Sequence, residues 1–237
     1  FYFQVFTNND TTSLVVNNEF IGSWNKKIIH YFQGKFSMKI VECIYQKPED
    51  EWLGVFHASA INHKENSILI LGDSGNGKST SLALLQAHGF HCIADDFVPV
   101  DNGATIYSFP AGISIKKNSL AVLAPFYPEL KNSAEFHYKR LNKIVRYLPP
   151  KKIDYTKSFP CKALIFIKYD KDVEFTLNSV SNSTAFESLI PDSWISSIPK
   201  NVTVFLDWFS SLPCYQLTYS NNEKMISTVE KIFKNDV

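Results

Sequence analysis

Short apolar and polar runs alternate over residues 1 to 47, as in Lys26 to Phe32 and Phe36 to Tyr45, with turn residues between them. That pattern predicts antiparallel strands. At Ser67 the pattern changes. Ile68-Leu69-Ile70-Leu71 is a continuous apolar run ending in Gly72, as expected of a strand buried on both faces. A Gly-rich turn follows, and then Lys78 to His88 carries Leu82, Leu84 and Leu85 among good helix formers, with Gly89 placed to end the helix. Phe90 to Ala94 reads as a second strand running into Asp95-Asp96, next to the first strand in the sheet.

Further along, Thr105 to Phe109, Gly112 to Ile115, Ala163 to Lys168 and Tyr215 to Tyr219 read as strands. Ser119 to Leu123 begins a helix, Ser183 to Ile190 is helical, Val202 to Phe209 fits either state, and Glu223 to Phe233 is an amphipathic helix. The mixture predicts an α/β domain with a central mixed sheet over 51–237, carrying a β-rich extension over 1–50.

Composition narrows the class. With 237 residues, 45% of them apolar, folding can bury roughly 70% of the unfolded surface, which excludes fibrous and disordered readings. Cys43, Cys92, Cys161 and Cys214 have no zinc-ligand or C-x-x-C spacing and are expected to be reduced thiols in a cytoplasmic chain. No apolar run is long enough to span a membrane. The chain opens on Phe1 instead of Met, so further upstream sequence is expected. A net charge of +1 gives no reason to expect nucleic acid or an anionic membrane as partner. Only two of the 24 basic residues are arginines, Arg140 and Arg146, the residue type suited to bidentate phosphate contacts.

Chemistry enters at Gly72-Asp73-Ser74-Gly75-Asn76-Gly77-Lys78-Ser79, which satisfies the G-x-x-x-x-G-K-[ST] pattern between an apolar strand and a helix. The glycines let successive backbone N–H groups point at phosphate oxygens, Lys78 reaches the β- and γ-phosphates, and the Ser79 hydroxyl suits Mg²⁺; Thr80 adds a second hydroxyl. This predicts a bound nucleotide, ATP with Mg²⁺. Asp95-Asp96, at the carboxyl end of a strand, supplies two carboxylates that face different ways, one for the metal and one for an acceptor hydroxyl. His57 closes the apolar segment Trp52 to Phe56, 15 positions before Gly72.

Together the loop Gly72 to Ser79, the run Gly89-Phe90-His91-Cys92-Ile93-Ala94-Asp95-Asp96 and His57 ahead of the loop resemble the HPr kinase/phosphorylase-like P-loop serine kinases, whose fold is related to phosphoenolpyruvate carboxykinase. Weaker similarity runs through Ser114 to Lys117, Ala124-Pro125 and Val145 to Pro149. The resemblance implies Asp95 as base for the acceptor hydroxyl with His57 beside it, Asp96 as metal or acceptor contact, and Arg146 as a candidate for the γ-phosphate or the acceptor. Thr80 stands where authentic HPr kinases carry Glu, and their Arg-Gly-Leu-Gly-Ile segment is missing. Neither phosphorylase activity nor HPr as substrate is therefore expected. Shorter relatives phosphorylate a serine on precursor peptides. The leading expectation is thus a kinase for a Ser or Thr of a protein or precursor peptide. The alternatives are a kinase for an amino acid or sugar and a nucleotide-binding regulatory module without transfer. A homo-oligomer is compatible with each.

Overall fold

The computed structural model describes residues 1–138, 143–151 and 153–236. It divides into two compact units, Phe1–Glu51 and Trp52–Val237.

In the first unit β1 (Phe3–Thr7), β2 (Thr11–Val16) and β3 (Glu19–Asn25) form an antiparallel meander. Asn17 and Asn18 join β2 to β3 at φ 50° and 67°. Positive φ at both central residues is what a two-residue hairpin with right-handed twist requires, and Asn tolerates it. On β2 the even positions Thr12, Leu14 and Val16 are buried.

The rest of this unit corrects the strand expectation for Lys26 to Phe32 and Phe36 to Tyr45. After a short 3₁₀ turn over Lys26–Ile28, residues Ile29–Tyr45 form one helix, α1. Phe36, Met38 and Ile40 alternate at period two, but Met38 and Val41, three apart, also fit helical spacing; they are the residues the helix buries, and it packs against β2 and β3. Met38 and Val41 are buried, and the Phe32 and Phe36 rings pack at 5.8 Å. Gln46, in the left-handed conformation, ends the helix.

The second unit is mixed α/β around a central mixed sheet. Its strands are β4 (Trp52–Phe56), β5 (Ser59–His63), β6 (Asn66–Leu71), β7 (His91–Asp95), β8 (Val98–Asp101), β9 (Thr105–Tyr107), β10 (Ile113–Lys116), β11 (Phe136–Tyr138), β12 (Lys143–Leu148), β13 (Ser158–Tyr169), β14 (Phe175–Val180), β15 (Ser193–Ile195) and β16 (Cys214–Tyr219). Its helices are α2 (Lys78–Ala87), α3 (Leu120–Leu123), α4 (Asn182–Leu189), α5 (Pro199–Ser211) and α6 (Asn222–Lys234). The large sheet runs β15-β4-β8-β9-β13-β6-β5-β7, with β16 on β13 and β14 on β16; β10, β12 and β11 make a second, small sheet.

Strand β13 is 12 residues long and joins the two halves of the large sheet. Ser158 to Pro160 pair antiparallel with β9, whereas Cys161 to Phe166 pair in parallel with β6 and Leu164 to Tyr169 in parallel with β16. One face of β6, β13 and β16 presents Ile68, Ile70, Ile165, Ile167, Leu217 and Tyr219 to a core shared with Leu82 and Leu85 of α2 and Met225, Val229 and Ile232 of α6. The alternate residues Leu69, Leu71, Leu164 and Phe166 are buried on the other face. Burial on both faces explains the unbroken apolar run that marked β6 in the sequence. At the β4 end, the rings of Phe56, Phe205, Trp208, Phe186 and Phe209 form a contiguous aromatic cluster that holds α4 and α5. This resolves Val202 to Phe209 as helix.

Strand β7 does not neighbour β6. The antiparallel strand β5 lies between them, with Ser59 paired to Ile70 on one side and to Asp95 on the other. The β5–β6 hairpin, Ser59 to Leu71, sets a strand into the sheet where sequence order suggested direct contact between β6 and β7. Among the described residues no helix is long and apolar enough to cross a membrane. The four cysteines are unpaired thiols, with Cys92 and Cys214 buried.

Candidate functional site

The site begins where β6 ends. Gly72 takes φ 140°, and a Cβ there would come 2.6 Å from the Ile167 carbonyl oxygen of β13, so the chain can leave the sheet at this point only through glycine. The loop is tied down by Asn76 N–H to the Asp73 carbonyl at 3.1 Å and by Tyr169 N–H to the Asn76 carbonyl at 3.0 Å. Gly77, at φ 94°, caps α2. The first intrahelical bond is Ser81 N–H to the Gly77 carbonyl at 2.8 Å, so the amides of Lys78, Ser79 and Thr80 open the helix without helical partners. Such a set of N–H groups, together with the helix dipole, is an anion site.

Lys78 is buried, and its ammonium group donates to the carbonyls of Gly72 and Asp73, the latter at 3.5 Å. The positive charge therefore sits inside the loop's curve. Asp73, Ser74 and Gly75 are exposed at the rim. Lys116, on β10, donates to the Ser74 hydroxyl at 3.4 Å, adding a second cation that the loop motif does not contain. Thr80 turns its hydroxyl to Ser119 at 2.6 Å.

The two aspartates have opposite environments. Asp95 is 3% exposed. Its Oδ1 accepts from Ser59 Oγ at 2.6 Å and from Ser79 Oγ at 3.3 Å, and its Oδ2 accepts from the Ser114 N–H at 3.0 Å. Burial, with the neighbouring charge of Asp96 adding to it, pushes its carboxyl up to about 6 against the three hydrogen bonds that favour the ionised form. A buried carboxylate touching the loop serine is the donor pair that Mg²⁺ takes when phosphate oxygens and water supply its remaining ligands, and a divalent charge would offset the burial cost. Asp96 is half exposed and sits at φ 62°, a left-handed conformation that Asp tolerates. That turn swings its side chain away from the Asp95 pocket.

The turn places Asp96 on His57. The imidazole Nε2 lies 3.8 Å from Asp96 Oδ1, and Nδ1 is 3.3 Å from the Asp96 carbonyl oxygen. The expected pairing of His57 with Asp95 is therefore corrected: the ring meets Asp96, while Asp95 is buried and bonded to Ser59, Ser79 and the Ser114 N–H. Likewise Ser79 touches Asp95, not Asp96.

Arg146 is engaged elsewhere. In the β10–β12 pair it opposes Ile115, so it shares that residue's face and not that of Ser114 and Lys116. Its guanidinium donates to the Ser133 carbonyl and to Glu135 Oε1 at 2.6 Å. Arg140 lies outside the described residues. The residue opposite Ser114 is Tyr147, whose phenol is 2.5 Å from that of Tyr138. Its pKa is pushed up by burial first, then by Tyr138 and the charges of Asp96 and Asp95.

Sequence reasoning missed Ser59 and gave no role to Ser114, Lys116 or Tyr147, although all three lie in the stretches of weaker similarity. For Ser59 the signal was present: a hydroxyl inside the apolar run of β5 must find a buried partner. Ser114 acts through its backbone N–H, so its side chain gave no sign of that role. A polar cavity of about 300 Å³ adjoins the loop between Gly72 and His57, and its wall includes Gln216 and Thr218.

No family model matches this chain, and no curated protein matches it. Among solved structures it is similar to the Hpr(Ser) kinase/phosphatase from Coxiella burnetii, at 12% identity and a TM-score of 0.30, covering 76% of this chain and 94% of that one. So low a TM-score leaves fold and chemistry to be judged on this chain's own residues.

Proposed function

We propose that the unit Trp52–Val237 is an ATP- and Mg²⁺-dependent kinase that transfers the γ-phosphoryl group to a hydroxyl. The observation that carries this reading is the contact between the loop hydroxyl of Ser79 and the buried carboxylate of Asp95, with the exposed Asp96–His57 pair one residue further on. The amides at the start of α2 hold the phosphate chain, and Lys78 exchanges the Gly72 and Asp73 carbonyls for β- and γ-phosphate oxygens. Ser79 and Asp95 hold Mg²⁺, which supplies charge neutralisation across the phosphates.

The exposure difference between the acids supports a different division of roles from the one the sequence resemblance implies. Both oxygens of Asp95 are in use inside the fold, so it serves the metal side, and the proton of the acceptor hydroxyl passes to the Asp96–His57 pair. With Nδ1–H donated to the Asp96 carbonyl, Nε2 is the free acceptor, and an imidazolium there gains the nearby Asp96 carboxylate.

The first acceptor class to test is a Ser or Thr of a protein or precursor peptide. The polar cavity beside His57 favours a second, a small hydroxyl compound. Incubation with γ-³²P-labelled ATP and Mg²⁺ over both classes, with Lys78→Ala as control, tests the reading. Label transfer in the wild type and its loss in the variant is the expected result. Label transfer that is equal in both proteins, or no nucleotide binding by calorimetry, would remove the loop from the chemistry.

A further inference from the structure

We infer that the cavity between the loop and the ends of β13 and β16 is the acceptor pocket, and that it takes a small, neutral, multiply hydroxylated compound of sugar or polyol size. This inference rests on the phosphotransferase reading above. Three observations carry it: where the cavity lies, what its wall offers, and how its charges are already spent.

Position comes first. Lys78, which marks the terminal-phosphate end of the loop, is bonded to the carbonyls of Gly72 and Asp73, and these two residues are also wall of the cavity. His57, which carries Asp96, is another part of the wall. A hydroxyl in the cavity therefore meets the transferable group on one side and the proton acceptor on the other. Its oxygen forms the new bond to the γ-phosphorus, the bond from that phosphorus to the β,γ-bridging oxygen breaks, ADP leaves, and the proton passes to the Asp96–His57 pair.

The wall is built from sheet residues whose neighbours belong to the core. Leu217 and Tyr219 face α2 and α6, so Gln216 and Thr218 face the opposite side, in register with Phe166 and Lys168 of β13. The Gln216 carboxamide and the Thr218 hydroxyl are half buried and make no side-chain hydrogen bond among the described residues. Polar groups held on a rigid sheet and turned toward a cavity are ligand contacts in waiting. Ser188 and Ser193 donate to the Thr184 and Leu189 carbonyls, which leaves their oxygens as acceptors for further O–H groups.

Charge selects a neutral occupant. Lys168 is paired with Asp170 at 3.1 Å and Asp73 stands at the loop side, so a carboxylate or phosphate would find no uncompensated cation on this wall. The volume of about 300 Å³ is at the lower end of small-molecule sites, which run roughly from 300 to 1,000 Å³.

The test is an acceptor panel of glycerol, myo-inositol and glucose against free serine and a serine-containing peptide library, assayed by ADP release and by detection of the phosphate ester. At least one neutral polyol is expected to be phosphorylated. Gln216→Leu and Thr218→Val should each raise its KM about three- to tenfold, with the affinity for a non-hydrolysable ATP analogue unchanged. In the wild type the same polyol should protect His57 from modification by diethyl pyrocarbonate, a measurement independent of whether the variants fold. Transfer confined to peptides or serine, acceptance of a polyol with KM unmoved by both substitutions, or no protection of His57 overturns the pocket assignment while the kinase stands. Failure to bind the ATP analogue overturns both, and calorimetry separates that case from the others.

Discussion

Replacing Asp95 by Asn separates what the fold needs from what the chemistry needs. The ordinary carboxyl value of 3.8 rises to about 6 in the folded chain, so the native state holds this proton more tightly than the unfolded state does. Stability from this group is therefore fully present below about pH 4 and is lost as pH rises through about 6. About two pKa units correspond to about 3 kcal/mol of penalty at neutral pH. Asn removes the charge and keeps an acceptor for the Ser114 N–H, while the Ser59 and Ser79 hydroxyls rotate to accept from its amide. Allowing about 1 kcal/mol for poorer hydrogen bonds, the variant gains about 1 to 3 kcal/mol at pH 7.5, roughly 3–9 °C in Tm for a unit of this size, and gains nothing at pH 4. Differential scanning calorimetry of both proteins at the two pH values, without nucleotide or metal, measures this. On the proposed reading phosphoryl transfer should fall by at least about a hundredfold in the same variant, because Mg²⁺ would lose its anionic ligand. An Asn variant no more stable than wild type at pH 7.5, or one with the same advantage at both pH values, would refute the claim that Asp95 is held ionised at a cost.

Other outcomes follow from the same geometry. Lys78→Ala should lower kcat about a hundredfold or more while nucleotide Kd changes less than about tenfold, since its charge acts most on the transferring group; separate kcat and Kd measurements decide. Lys116→Ala should raise KM for ATP severalfold through the rim contact at Ser74, whereas Arg146→Ala should leave it within about twofold and cost about 1 kcal/mol of stability in a denaturant melt. A tenfold rise with Arg146→Ala would return that residue to the phosphates. Tyr219→Phe removes the buried 2.7 Å bond to Ser81 under the loop and should cost about 1 kcal/mol in the same melt.

What could be read from the residues divides along a physical line. Strand β6, the loop, α2 and β7 were legible because each is specified locally: an apolar run, glycines forced into positive φ, leucines at helical spacing and Gly89 at φ 93°. Helix α1 was misread because its apolar positions satisfy two periods at once, and only the meander it lies against selects one. The site shows the same division. Which side chains bear charge followed from the motif, but which of the two acids meets His57 depends on one dihedral, the positive φ of Asp96, and on β5 entering between β6 and β7.

These two long-range facts are linked. With β5 in place, Ser59 stands opposite Asp95 and takes one of its oxygens; that fixes Asp95 inside the sheet, and the chain must then turn sharply at Asp96 before β8 runs back along β4. His57, in the link between β4 and β5, lies on the outside of that turn with its ring against Asp96. The inserted strand thus separates a buried carboxylate from an exposed one, the difference on which the proposed metal-side and proton-accepting roles rest. Adjacent aspartates could not acquire such different environments from their own sequence positions alone.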